Sequence, residues 1–398
     1  MVFRGYLREG PKFLRREFYN YDKDLNEVVN SINFRSILAI EGLKRIGKTS
    51  LVLTAYSEIA KRKSNILLIH ADFRGVTSRD SALTIILRGY EISKKILDMI
   101  SCLRSVIVKR FRSKLIDKLA KEIKSSNREF NVKLFKLRKS SIRRLRSLNI
   151  LTGFRDVLEV INDVASELGF KCIVFLDEVH EVFGHVKNSR DELAQSLAYA
   201  YDYLDNVKVI VSGSRVRLLE EFLSHEALTG RTSTIKMTSL GPEDSIDMLD
   251  KGLKDNRVPY ELRTLIVGYE LSWGIAGWLT TYGRIYVEAY RMYRDISKAT
   301  KYAREKLVNE MKIACSEELR VLKRYSKGVK TYEKTLKVLK YIGKGVTSFN
   351  DLMRLTELNS GTLNTILRRL ERYGFIERVD NEIKLLDPSI KTYVIEAL

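Results

Sequence analysis

Hydrophobic residues along the chain follow two alternating patterns. Short segments rich in apolar residues recur at 36–40, 65–72, 172–176 and 207–212, with a further, more polar one at 232–237. Runs of this length read as strands, the inner ones buried on both faces. Between them, apolar residues recur at spacings of three and four, as on one face of a helix, over 50–60, from about Ser81 onward, from Phe154 to Leu168 and from Asp191 to Leu204. Strands alternating with helices predict an α/β fold, a parallel sheet with helices on both faces.

The longest periodic stretch carries its stripe at Ile96, Ile100, Leu103, Ile107, Phe111, Leu115, Leu119 and Ile123. Ser125-Ser126-Asn127 reads as a break, and a second stretch follows through Leu134, Leu137, Ile142, Leu145 and Leu148. Together they predict a helical hairpin inserted between core strands. Beyond Gly241-Pro242-Glu243, where proline suits the first turn of a helix, the pattern is helical to about Ser326 and predicts a lid.

The last seventy residues predict a separate unit. Helices are expected over 332–342, from the capping pattern Ser348-Phe349-Asn350-Asp351, and over 360–373 with Gly374 as the stop. Residues 375–379 and 382–386 flank Asp380-Asn381 as a two-stranded wing. Three helices and a hairpin in this order predict a winged helix-turn-helix. The expected domains are a core over 1–240 with the insertion at 94–149, a lid over 241–328 and the winged unit over 329–398.

The turn after the first strand carries the most chemistry. Gly42-Leu43-Lys44-Arg45-Ile46-Gly47-Lys48-Thr49 spells G-x-x-x-x-G-K-[ST], and Ser50 opens the amphipathic stretch that follows. The glycines let backbone N–H groups turn inward around phosphates, Lys48 reaches the β- and γ-phosphates, and Thr49 offers a hydroxyl to Mg²⁺. A helix starting at Lys48 adds its positive end. The pattern predicts a bound nucleotide phosphate chain with Mg²⁺.

A second element stands at Cys172-Ile173-Val174-Phe175-Leu176-Asp177-Glu178, a buried strand ending in two acids where such a sheet exposes its carboxyl edge. Asp177 is the expected second holder of Mg²⁺. Glu178 is the expected general base for water, a role that contributes about 10²- to 10⁴-fold. The strand between the phosphate loop and Asp177 predicts the branch of these enzymes with an added central strand and a catalytic Glu. Ser212 or Ser214, closing the fourth strand, could sense phosphate or place water. Arg231 could meet phosphate in its own subunit or a neighbour's, and a surface ion pair is the competing reading.

Charge adds a partner. The chain carries a formal +21, and residues 94–149 alone hold 18 Lys/Arg against 4 Asp/Glu. A basic surface of this density attracts polyanions, nucleic acid first and anionic lipid second. The third helix of the winged unit offers Thr362, Asn364, Thr365, Arg368, Arg369 and Arg372 to double-stranded DNA. That unit holds 12 Lys/Arg and 9 Asp/Glu, so a protein-docking role stays open beside DNA reading. Three scattered cysteines and four histidines indicate neither a disulfide framework nor a zinc site. No apolar run approaches the roughly 18 residues of a membrane span, and the first ten residues hold no signal-like block. The expected location is the cytoplasm.

On these residues the chain resembles the archaeal ATPase family, P-loop proteins related to AAA+ and STAND ATPases. The likeness rests on the phosphate loop, Phe175-Leu176-Asp177-Glu178, Val211-Ser212-Gly213-Ser214, Gly230-Arg231 and the winged unit ending in Leu386-Asp387-Pro388. Phe13-Leu14-Arg15-Arg16-Glu17 is similar to the family's F-x-G-R-E segment, with Arg15 where Gly is usual, and implies Arg16 near the adenine. Ala276 stands where the family's lid usually has Pro. The resemblance implies ATP binding, slow hydrolysis and conformational switching. Three readings stay open: a nucleotide-driven switch on DNA, a DNA-binding regulator or replication initiator in which ATP only sets affinity, and a STAND-type sensor that forms a nucleotide-dependent homo-oligomer and docks a protein partner.

Overall fold

The structure, a computed structural model, describes residues 3–32, 36–63, 65–100, 105–125, 152–184, 186, 188–325, 328–380 and 382–396. Five parallel strands form one sheet: β1 (Ile37–Glu41), β2 (Ile66–Asp72), β3 (Lys171–Asp177), β4 (Val207–Gly213) and β5 (Thr232–Lys236), in the spatial order β2-β3-β4-β1-β5. β1 is buried at every position, its apolar residues Ile37–Ile40 and the Glu41 that ends it alike. The strand between the phosphate loop and Asp177 in sequence, β2, lies at the edge. The strand separating β1 from β3 in space is β4, so the sheet has the added central strand of the expected branch.

Register decides what meets at the carboxyl edge. Glu41 of β1 lies beside Gly213 of β4, and Leu176 of β3 beside Val211. The phosphate loop, Asp177-Glu178 and Ser212–Ser214 therefore leave the sheet at one level. Asp72 of β2 lies beside Asp177 and brings the 72–76 turn to the same edge.

Helices cover both faces. Lys48–Arg62 follows the phosphate loop, and Phe154–Leu168 precedes β3. The helix Ser105–Ser125 packs on Phe154–Leu168 and buries Val108, Phe111, Leu115 and Leu119. Full burial of such side chains contributes about 1.5–3 kcal/mol each before chain entropy is counted. Lys114 and Lys118 pair with Glu167 and Asp163 along the same packing surface, at 3.4 and 2.7 Å. Ile96, Phe111, Leu115 and Leu119 of the expected stripe are thus part of the core, while Lys109, Arg110 and Arg112 face outward. The break at 126–127 and the second half of the expected hairpin lie outside the described residues.

Beyond β5 come the helices Pro242–Asp255, Leu262–Ser272, Ala276–Tyr293 and Ile296–Tyr325. The first three pack into the same apolar cluster as the sheet. Buried Tyr282 and Tyr286 satisfy their hydroxyls on the Thr264 and Pro259 carbonyls, at 2.9 and 2.7 Å. The N-terminal segment threads between sheet and helices, with Leu7 buried and the Lys12 N–H on Ser50 Oγ at 3.0 Å.

The last element group has its own apolar cluster, which begins at Cys315, Leu319 and Leu322 within Ile296–Tyr325. It contains the helices Val329–Gly343, Phe349–Thr356 and Ser360–Arg372, and an antiparallel pair β6 (Ile376–Val379) and β7 (Glu382–Leu385). Ser348 caps the second helix by accepting from the Asp351 N–H at 3.4 Å, as its capping pattern predicts. Asp380 turns between the strands at φ +51°. A final helix, Pro388–Glu396, lies beyond the expected wing and packs on Ile296–Tyr325 and Val329–Gly343. Among the described residues, no helix is long and apolar enough to cross a membrane.

Candidate functional site

The 42–49 turn needs both of its glycines. Gly47 sits at φ +120°, a conformation that side chains rarely adopt, and a Cβ on Gly42 would lie 2.8 Å from the Met237 carbonyl. Gly47 is the N-cap of Lys48–Arg62. The first four N–H groups of that helix have no partner within it and point, with its positive end, into the turn. Lys48 is 5% exposed and folds back over the loop, donating to the Gly42 and Leu43 carbonyls at 3.0 and 3.1 Å. Burial pulls its pKa down, opposed by the nearby Glu178 and Asp177 carboxylates.

Thr49 donates to Asp177 Oδ2 at 2.6 Å, and Ser212 donates to Asp177 Oδ1. Asp177 is 1% exposed. Burial alone would raise its pKa, but hydrogen bonds from His70, Ser212 and Thr49 outweigh it and hold the carboxyl at about 2. An ionised carboxylate beside a threonine hydroxyl is a hard oxygen pair that fits Mg²⁺, which binds through one or two such groups and keeps several waters.

Glu178 follows at φ +56°, a left-handed conformation that is uncommon for a residue with a side chain and clusters at functional sites. Its Oε2 accepts from both the N–H and the hydroxyl of Ser214, each at 2.8 Å. Its Oε1 lies 3.7 Å from Lys48 Nζ, and His180 Nδ1 lies 3.4 Å from Oε2. Lys48, Thr49, Asp177, Glu178, Ser212 and Ser214 therefore form one constellation.

A cavity of about 370 Å³ runs from this constellation along the phosphate loop. Its far end is walled by Phe18, Tyr21, Met248, Gly277 and Thr281. Phe18 and Tyr21 stack with centroids 5.5 Å apart, and the Tyr21 hydroxyl donates to the Thr238 carbonyl at 2.9 Å. The remaining loop residues divide by role. Ile46 is buried, Ser50 holds the N-terminal segment, Lys44 pairs with Glu318 at 2.8 Å, and the Arg45 guanidinium lies 4.2 Å from the Trp278 ring centroid.

Two candidates lie elsewhere. Arg16 is exposed and lines a separate cavity with Arg4, Lys254 and Arg257. It sits in the tight 3₁₀ turn Arg15–Glu17, where successive side chains diverge by about 120°. Glu17 turns inward to Arg8, and Phe18 and Tyr21 reach the cavity in its place. Arg231 precedes β5, and its carbonyl accepts from the Ile37 N–H at the amino edge of the sheet. A five-residue strand spans about 16 Å, so Arg231 is at the wrong end for the phosphate loop. Its guanidinium is bound bidentately by Asp202, at 3.1 and 3.0 Å.

Three other groups sit at the constellation. His70 stacks on Phe175 with centroids 5.0 Å apart and reaches within 3.4 Å of Asp177 Oδ2. The signal was present, since His70 is the polar residue inside the apolar run 66–71 and stands two before Asp72. Arg74, paired with Asp72, and Arg215, 3.5 Å from Glu181, face the same edge from turns that carry no local motif.

A family model described as an AAA domain matches residues 105–243. No curated protein matches the chain by sequence. Among solved structures, a Walker-type ATPase of Pyrococcus abyssi is similar over 98% of this chain and 99% of its own, at 22% identity and a TM-score of 0.71. The ORC2 protein of Aeropyrum pernix, solved in ADPNP–ADP complexes, is similar over 100% and 99%, at 13% identity and a TM-score of 0.59. The ORC1 protein of Aeropyrum pernix, solved in complex with DNA, is similar over 95% and 93%, at 11% identity and a TM-score of 0.50. The AAA-domain model thus matches the part of the chain that carries β3, β4 and β5, and the solved structures share the fold over nearly its full length.

Proposed function

We propose that the chain binds ATP with Mg²⁺, hydrolyses it slowly, and uses the cycle to reposition its C-terminal unit, a winged helix-turn-helix, on double-stranded DNA. The observation that carries this reading is the convergence of the Lys48 and Thr49 loop with Asp177 and Glu178 at one edge of the sheet. The loop's N–H groups and Lys48 would cradle the phosphates, and the aromatic wall at Phe18 and Tyr21 would take the base. Thr49 and Asp177 would hold Mg²⁺, which supplies positive charge to the transferring phosphoryl group when bound. Glu178 would take the proton of the attacking water, with Ser214 fixing its carboxylate. The complexes of the two Aeropyrum proteins, with adenine nucleotides and with DNA, support the same reading by likeness of fold.

The test is a pair of variants. Lys48→Ala should lose ATP binding in titration calorimetry, whereas Glu178→Gln should bind ATP and turn it over at least roughly 10²-fold more slowly. Undiminished turnover in both variants would end the enzymatic reading.

A further inference from the structure

The helix Ser360–Arg372, the DNA candidate of the C-terminal unit, is already engaged. Arg372 Nη2 lies 2.8 Å from Glu221 Oε2, and Arg217 Nη2 lies 3.3 Å from Glu371 Oε1. Glu221 and Arg217 belong to the core helix Val216–Leu223, which follows β4. The two pairs are reciprocal, because each side presents one acid and one base. The turn after the DNA-candidate helix rests on the end of β4. The Arg215 guanidinium lies 5.4 Å from the Tyr373 ring centroid, and the Ser214 carbonyl stands 3.7 Å from where a Cβ on Gly374 would be. Ser214 is the residue that holds Glu178. A cavity of about 170 Å³ lies between Leu43, Arg74 and Glu178 on the core side and Tyr373, Phe375 and Asp387 on the other.

We infer that this helix has two mutually exclusive partners, the core helix Val216–Leu223 and a DNA backbone, and that docking on the core closes the Glu178 side of the nucleotide site while DNA opens it. The inference rests on the DNA-switch reading of the proposed function and deepens it. Arg372 cannot present the same donors to Glu221 and to a phosphate. Arg369 Nη1, on the same helix, is buried with no hydrogen-bond partner among the described residues. Both docking pairs are partly exposed, and pairs of that kind hold weakly, so competing phosphates can displace them. Glu371 keeps Arg378 at 2.7 Å after undocking and is not stranded.

Movement of this unit reaches the phosphate loop through a connected path. Ile296–Tyr325 packs on Ala276–Tyr293 at one end and on Pro388–Glu396 at the other, which joins lid helices and C-terminal unit into one body. Trp278 Nε1 donates to Asp387 Oδ1 at 3.3 Å across that joint. Arg45, stacked on Trp278, and Lys44, paired with Glu318, bind the body to the loop itself. Asp387 is buried, which raises its pKa, and hydrogen bonds from Ser389, with Arg45 nearby, partly offset that.

The experiment compares full-length wild type with the double variant Arg217→Gln/Glu221→Gln, which removes both docking pairs and leaves net charge unchanged. Fluorescence anisotropy with a short labelled duplex should show roughly three- to tenfold tighter binding by the variant. ATP turnover, sensitive to duplex in the wild type, should become insensitive to it. The equally neutral control Arg231→Gln/Asp202→Asn, at the far edge of the sheet, should change neither. Wild type that binds the duplex alongside a folded double variant that binds it no more tightly would overturn the inference while leaving the DNA reading intact. Failure of both proteins to bind duplex would overturn the inference and the DNA reading together, and ATP binding by the wild type would still stand. If the double variant fails to fold, Glu221→Gln alone should show the same tightening at smaller size, and its absence overturns the inference.

Discussion

Ser214 gives both its N–H and its hydroxyl to a single oxygen of Glu178, each at 2.8 Å. The other Glu178 oxygen faces Lys48, and the backbone between them stands in a left-handed conformation that costs of order 1–3 kcal/mol. Such a conformation persists only where neighbours over-determine it. Ser214, Lys48 and the Ser212 hydroxyl, which accepts from the Glu178 N–H at 3.3 Å, are those neighbours.

If Glu178 takes the proton from water, Ser214 acts through it as a positioning residue. Ser214→Ala keeps the backbone N–H bond and removes the hydroxyl, so turnover should fall by about three- to tenfold while ATP affinity stays within about twofold. Ser214→Thr retains the hydroxyl and should recover most of the rate. Separate measurement of kcat and KM decides the matter, since a merely structural role would lower both with protein stability and would not be rescued by threonine.

The carboxyl edge of the sheet was legible because its signals are local. The run before Gly42, the run before Asp177 and the run ending at Ser212 each place a chemical group directly after a buried strand, and parallel strands bring such ends together. Arg231 stands directly before its strand, and the start of a parallel strand lies at the opposite edge from its end, so of the readings its position leaves open the ion pair is the one seen within this chain. Arg16 misled because the direction of a side chain in a 3₁₀ turn depends on a rotation that no periodic pattern reports. The joint of Arg45, Trp278 and Asp387 brings together residues far apart in sequence, and no spacing rule connects them. The sheet order eluded the sequence too, since the neighbour of β1 was chosen by packing rather than by chain order.

The outward face of Ser105–Ser125 offers a direct measure of electrostatic binding. Lys109, Arg110 and Arg112 are exposed, while Phe111 and Leu115 beneath them hold the helix to the core. Replacing the three cations by Gln spares that packing, whereas deleting the segment would remove core residues. Each phosphate that is no longer neutralised should reduce the slope of log K against log salt by about 0.9, so a reduction of about one to three is expected for duplex DNA. An unchanged slope would assign these cations to a solvated face away from nucleic acid.

Lys12 supplies a prediction about pH. It lies 8% exposed beside the nucleotide cavity, with Nζ on the Arg8 carbonyl. Burial pulls its pKa down to about 8, Glu17 opposes the shift, and Arg8 and Arg284 add to it. An unfolded lysine titrates near 10.4, so between about pH 8 and 10.4 the unfolded chain holds a proton that the folded chain has released. The unfolded state binds more protons in that window, and stability therefore rises with pH across it. Below pH 8 both states are protonated and the folded protein carries the full cost of a buried ammonium. Lys208, also drawn to about 8 by burial, and Lys48, lowered by burial as well, contribute in the same direction, so Lys12→Met removes one contribution among several. Urea unfolding at pH 7 and at pH 9.5 should show the variant gaining about 1–3 kcal/mol over wild type at the lower pH, with the gap narrowing at the higher. Buried tyrosines affect wild type and variant alike and cancel in the difference. Parallel pH curves for the two proteins would mean that the Lys12 ammonium is solvated in the native state.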